Sequence, residues 1–252
     1  MNLLFLGAFR ENPPPGWEEG IRHAIWQDRG FLWDLWFNLI NASRYRMIID
    51  GLLITLQIAA FGVLIGIVLG FVLSLMKLSR FAPLRAIATV YISVIRGIPL
   101  VVQLLIWYFV ILTGPGISII FVCVITFGTN SGAYVAEIFR AGILSVDKGQ
   151  TEAGRSLGLG SIKTMRLIVF PQAIKNALPS LCNEFIILFK DTAIVGFIGV
   201  MDMRRAADHI TSRTFNAFIP LISVALIYLV IVLVLTWLLG KLERRLRKSD
   251  SR

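Results

Sequence analysis

Residues 151–171 read TEAGRSLGLGSIKTMRLIVFP, a polar and basic island between two long apolar regions. Thr151 is of the type that caps a helix N-terminus, Glu152 suits the positive end of the helix dipole, and Ala153 keeps the surface thin for a partner's approach. Gly158 and Gly160 allow the backbone to turn, and Ser161 caps a second helix running through Met165, Leu167, Ile168, Val169 and Phe170 to Pro171. The stretch predicts an ordered docking element of two short helices with a sharp turn between them.

Outward from the island the chain is built for lipid. In 252 residues, 56% are hydrophobic and only 16% charged, with a mean hydropathy of +0.77. That composition excludes an ordinary soluble domain and predicts an all-α integral membrane protein. The net charge of +10 would suggest nucleic acid in a soluble chain. Here the basic residues fall where cytoplasmic loops lie, so membrane topology accounts for them and no nucleic-acid partner is expected. Cys123 and Cys182 are far apart in apolar sequence and form no disulfide framework or metal spacing.

Before the first span, residues 1–50 form an extracytoplasmic or interfacial segment. The apolar run at 3–9 is too short to cross, and Pro13, Pro14 and Pro15 break any helix. Residues 31–40 mix Trp33, Trp36 and Phe37 with Asp34 and Asn38, as in a helix at the membrane surface or an aromatic anchor for the next span.

The membrane unit is read as residues 51–240, with a cytoplasmic loop at 141–175 and a basic cytoplasmic tail at 241–252. The first span, 51–76, carries Gly62, Gly66 and Gly70 on one face, which predicts burial against another helix. The second, 83–112, contains YISVIRGIPLVVQLLIWYF and is expected to kink or break near Arg96, Gly97 and Pro99. Arg96 either lines a translocation path or bonds carbonyls freed at that break, and Gln103 is a weaker candidate of the same kind. The third, 117–139, is polar at its centre through Thr129, Asn130 and Ser131, which must face protein or a wet cavity, and Glu137 and Arg140 pair near its end.

After the island, Pro171 and Pro179 are expected to divide a short re-entrant or interfacial helix from a fourth span. Within that span Glu184 and Asp191 are seven residues apart and share a face. Lys190 suits a substrate α-carboxylate, Asp191 an α-ammonium, and Glu184 a cationic or hydrogen-bonding side chain. A structural Lys190–Asp191 pair is the alternative. Residues 204–215 read as a polar external loop, and the fifth span as 217–240. His209 and His23 have no ligand-spaced partners. Five spans with the N-terminus outside and the C-terminus cytoplasmic put fifteen Lys/Arg inside and eight outside, as the positive-inside rule requires.

Glu152, Ala153, Gly154, Gly158, Ile168 and Pro171 together resemble the EAA loop of ABC importer permeases. Gly154 stands where that family usually has Ala, and Phe170 where it usually has Leu. SGAYVAEIFRAGILSV at 131–146 and NEFIILFKDTAIV at 183–195 resemble the polar amino acid branch, of histidine, glutamine or arginine type. The resemblance implies a type I permease in a bacterial inner membrane, dimeric with itself or a sister permease. It also implies ABC ATPase subunits docked on Thr151, Glu152, Ala153, Gly154, Gly158, Ile168 and Pro171, and an extracytoplasmic amino-acid-binding protein. ATP and Mg are then used by the ATPase, since no GxxxxGK[ST] sequence occurs here; this chain is expected to bind no cofactor or metal and to be no enzyme. Arg96, Asn130, Glu184, Lys190 and Asp191 are the candidate substrate contacts. From the residues alone, a stand-alone ion-coupled secondary transporter using Arg96, Glu184, Lys190 and Asp191 stays open.

Overall fold

A computed structural model describes residues 31–250, and the expectations for residues 3–9, for the prolines at 13–15 and for His23 lie outside them. The described residues are helical with no strand: α1 (Phe31–Leu35), α2 (Tyr45–Leu78), α3 (Ala82–Gly97), α4 (Leu100–Ile106), α5 (Ile119–Leu144), α6 (Lys148–Ser156), α7 (Ser161–Thr164), α8 (Phe170–Asp191), α9 (Met203–Thr214) and α10 (Phe218–Asp250). Among them α2, α5 and α10 are each long and apolar enough to cross a membrane. The segments Ala82–Gly97 and Leu100–Ile111 reach that standard only together, across a bend of 104°. The expected break at Pro99 is therefore present. Pro99 has no amide hydrogen to continue α3 and instead opens α4, with its carbonyl accepting from Gln103 N at 3.1 Å.

The centre of the fold is the α2–α5 pair. A Cβ on Gly66 would lie 2.7 Å from Ser131 Cβ, one on Gly70 2.6 Å from Val135 Cβ, and one on Gly128 2.6 Å from Ile65 Cγ2. Small residues at four-residue spacing thus let the two backbones interlock, and the glycine face of α2 is buried as expected. The opposite face of α2 exposes Leu53, Leu64 and Val68. On α10 only 17% of the apolar window is buried. Those surfaces are compatible with lipid or another subunit.

Two expectations fail. Pro179 does not divide its region: α8 runs unbroken from Phe170 to Asp191 with Pro179 inside it and Pro171 in its first turn, where a missing amide is harmless. Residues 204–215 are not an open loop but mostly the helix α9. Its residues Met203, Ala206, Ala207 and Ile210 are buried with Ile48, Phe189 and Val224, and Asp202 caps it by accepting from Arg205 N at 3.0 Å. Charges on the outer side of the helix hid that apolar stripe: Arg205 and Asp208 are exposed, and the part-buried Arg204 bonds Asp208 at 2.6 Å and Ala193 O at 3.0 Å.

At the N-terminal end, Trp33 and Trp36 stay partly exposed with ring centroids 5.2 Å apart. A tight turn with positive φ at Ala42 and Ser43 leads into α2, and Arg44 holds it by donating to Phe37 O at 2.6 Å. This geometry suits the aromatic-anchor reading.

Candidate functional site

Two regions stand out. The first is the island, which leaves the membrane core as α6 and returns through α7 and a wide helical turn, Met165–Val169, into α8. Asp147, not Thr151, caps α6, its Oδ1 accepting from Gly149 N at 2.6 Å. Thr151 lies inside the helix, because the helix starts four residues earlier than Thr151's own chemistry suggested. The turn falls at Gly158 with φ of +80°, closed by Leu159 N donating to Gly154 O at 3.1 Å. Ser161 caps nothing; the Arg155 guanidinium donates to its hydroxyl.

The motif residues divide by role. Thr151, Glu152, Ala153 and Pro171 are exposed, whereas Gly154 is buried against Thr164 and Ile168. A Cβ at Gly154 would come within 2.7 Å of Ile168 Cδ1 and 2.8 Å of Thr164 Cγ2. The glycine therefore has an internal packing reason, and the long spacing from Gly154 to Ile168 reflects their contact. Leu157 and Ile162 are 81% and 83% exposed at the tip. Neither residue belongs to the motif that the sequence pointed to, and both display a large apolar side chain on the otherwise polar island. Helix α6 is tied to α8 by Gln172 donating to Gln150 at 3.3 Å, and the end of α5 by Asn176 donating to Ser145 Oγ at 2.9 Å.

The second region lies among α3, α4, α5 and α8. A cavity of 370 Å³ is lined by Arg96, Pro99, Asn130, Tyr134, Glu184 and Asp191. A larger one of 730 Å³ shares Arg96, Tyr134 and Glu184 and continues past Asn183, Asn176 and Glu137. The structure thus brings together four of the five candidate contacts. Lys190 is exposed and lines neither cavity.

Each wall has a local cause. Arg96 stands in the last turn of α3 with its guanidinium 5.0 Å from the Tyr134 ring centroid, within cation–π range. The carbonyls freed at the Pro99 break are taken by Gln103, whose Nε2 donates to Ile95 O at 2.7 Å and Ile98 O at 2.8 Å. Arg96 therefore does not fill that structural role. Asn130 donates to Gln103 Oε1 at 3.3 Å, pinning the break to α5. Glu184 is 6% exposed and accepts from Ser131 Oγ at 3.0 Å. Near the end of α5, Glu137 pairs with Arg140 at 2.8 Å, as expected, and also with Lys77 of α2. Tyr134 was missed in the sequence, although it falls one turn after Asn130.

The site thus consists of a bent pair of helices pinned beside a polar-centred span, with an ordered loop joining that span to the helix bearing Glu184. The chain belongs to the family of binding-protein-dependent transport system inner membrane components. Residues 37–248 match that family. The chain is 46% identical over 205 residues to the arginine transport system permease protein ArtQ of Bacillus subtilis, covering 81% of this chain and 94% of that protein. It is 38% identical over 204 residues to the glutamine transport system permease protein GlnP of Escherichia coli K12, covering 80% and 93%. Among solved structures, an amino acid ABC transporter with histidines matches with a TM-score of 0.77 and 46% identity over 82% of this chain and 97% of that one. The inward-facing MetNI methionine ABC transporter, 18% identical with a TM-score of 0.65, shares the fold. Membership of this permease family sets aside the stand-alone secondary transporter.

Proposed function

We propose that this permease carries polar amino acids, with basic ones preferred, through an ATP-driven importer in a bacterial inner membrane. The observation that carries the reading is the convergence of Arg96, Asn130, Glu184 and Asp191 on one cavity. Arg96 is the carboxylate partner in this scheme, because Lys190 lies outside the cavity. Asp191 takes the α-ammonium, and Glu184, held by Ser131, takes a cationic side chain. Two carboxylates facing one guanidinium favour a substrate with one more positive than negative charge.

Five crossings are proposed, α2, the bent α3–α4 pair, α5, α8 and α10, with the N-terminus outside and the C-terminus in the cytoplasm. The charge bias supports that orientation. ABC ATPases that use ATP and Mg dock on Glu152, Ala153, Leu157 and Ile162 of the island. Their closure moves α6 and, through Gln172–Gln150, the helix that carries Glu184. An extracytoplasmic binding protein supplies the substrate, and a second copy or a sister permease completes the pathway.

The test is uptake of labelled arginine, histidine and glutamine into proteoliposomes holding the full complex. Wild type should need ATP and the ATPase, Glu152→Lys should lose uptake with its spans intact, and Glu184→Gln should lose arginine before glutamine. Uptake driven by an ion gradient without the ATPase would overturn the reading.

A further inference from the structure

The 730 Å³ cavity is a groove with a direction. On α8 its wall steps from Glu184 through Ser180 to Asn176, and on α5 from Tyr134 through Ala141 to Ser145. Those stretches rise about 12 and 16 Å along their helices. Glu184 at one end is buried, whereas Asn176 and Ser145 at the other are exposed, so the groove opens beside the island, whose α6 begins at Lys148. The third wall is α10, through Leu239 and, one turn later, Glu243. This helix runs antiparallel to α8: the Tyr228 ring lies 5.3 Å from that of Phe189, and Leu242 shares a recess with Cys182. Glu243 therefore stands on the island side of Glu184, toward the open end.

Charge is ordered along this groove. Among the described residues that line it, Arg96 is the only cation, and it stands at the Glu184 end on the Tyr134 ring. The lining carboxylates are Glu184, Glu137 and Glu243. Glu184 accepts from Ser131, and Glu137 is already held by Lys77 and Arg140. Glu243 is half-buried and pairs with no cation among the described residues.

From this order, a guanidinium at one end and an unpaired carboxylate toward the other, we infer that the groove is the release route for the substrate's cationic side chain, with Glu243 as a second station after Glu184. The inference rests on the proposed carriage of basic amino acids and adds a residue that distinguishes them from neutral ones. A substrate with its carboxylate on Arg96 points its far end down the groove. Glu184 is buried, so it binds a cation strongly and by itself would also retain it. Glu243 is wetter and its attraction weaker, and sites of graded strength let a cation both enter and leave. A neutral side chain such as that of glutamine gains nothing from the second carboxylate. Glu243 thus sets specificity through rate rather than affinity.

The complete importer, permease with ATPase and binding protein, is assayed in proteoliposomes for ATP-driven uptake of labelled arginine and glutamine. Glu243→Gln should lower kcat for arginine about five-fold, with KM and glutamine uptake little changed, and Glu243→Asp should keep most of the arginine rate. A second readout needs no transport. In a Cys123→Ala, Cys182→Ala background, Ser180→Cys in the ATP-free complex should react faster with a cationic than with an anionic methanethiosulfonate, and adding Glu243→Gln should shrink that ratio about five-fold. An unchanged arginine kcat, an equal slowing of glutamine, or a ratio indifferent to Glu243 would each overturn the inference and leave Glu243 a solvated or structural acid. Because the ratio is read without transport, a complex that failed to carry arginine would sink the proposed function while the ratio still decided whether Glu243 governs cations in the groove.

Discussion

Helix α5 has two faces that do opposite things. Toward α2 it offers Gly128, Gly132 and Val135 to Ile65, Leu69 and Gly70, where added atoms would overlap. Toward α3, α4 and α8 it offers Asn130, Tyr134 and Glu137 to open cavities, with Ser131 reaching Glu184. The first face is dry and interlocked, and the second is polar with room to spare. Close backbone approach supplies the dispersion contacts that hold helices together without a hydrophobic driving force, which leaves the other face free to carry groups that cost stability in lipid. A rigid seam and an adaptable path thus share one helix.

The sharpest way to break that division is to overfill the seam. Gly66→Leu should cost about 3 kcal/mol or more, read as a large drop in melting temperature in detergent and a poor yield of folded protein. If it melts like wild type, the interlock is not what holds α2 to α5. On the open face, Glu184→Gln should lower kcat/KM for arginine uptake by about ten-fold or more, the loss expected for a hydrogen bond to a charged group, with little change in melting temperature. A matched fall in stability would mean that Glu184 is structural.

Gln103→Leu tests the junction between the two behaviours. It orphans the Ile95 and Ile98 carbonyls and should cost about 1–3 kcal/mol, measurable as a lower denaturation midpoint; an unchanged midpoint would show that other groups satisfy the break. The smallest effect is expected at Lys77→Met. Its pair with Glu137 is partly exposed, with 23% and 19% of the two side chains accessible, and Arg140 remains, so about 0.2–1 kcal/mol is expected. A loss of several kcal/mol would make this ion pair part of the seam.

Much of this was legible in the chain. Gly62, Gly66 and Gly70 announced a buried face by their period alone, and Arg96–Gly97–Ile98–Pro99 announced a break because proline cannot continue the ladder. Where the reading slipped, local chemistry met a competing partner. Thr151 is a good capping residue, but Asp147 stands earlier and takes the role. Pro179 is a helix breaker, yet α8 continues through it, held along its length by Gly142, Ala173 and Ala177, which pack closely at the α5 crossing. The charges of α9 do face outward, and they masked the helical spacing of Met203, Ala206, Ala207 and Ile210, which are buried against other helices.

By itself the sequence determined that the chain lives in a membrane, that its second span breaks at Pro99, and that the polar island is ordered with its turn at Gly158. These follow from composition, proline chemistry and residue period, all properties of neighbours along the chain. Only the tertiary structure decided that Arg96 stacks on Tyr134 while Gln103 serves the broken helix, that Glu184 meets Ser131, and that Lys190 stands outside the cavity. Those outcomes depend on which side chain reaches a given group first across helices far apart in sequence, and residue period does not contain that distance.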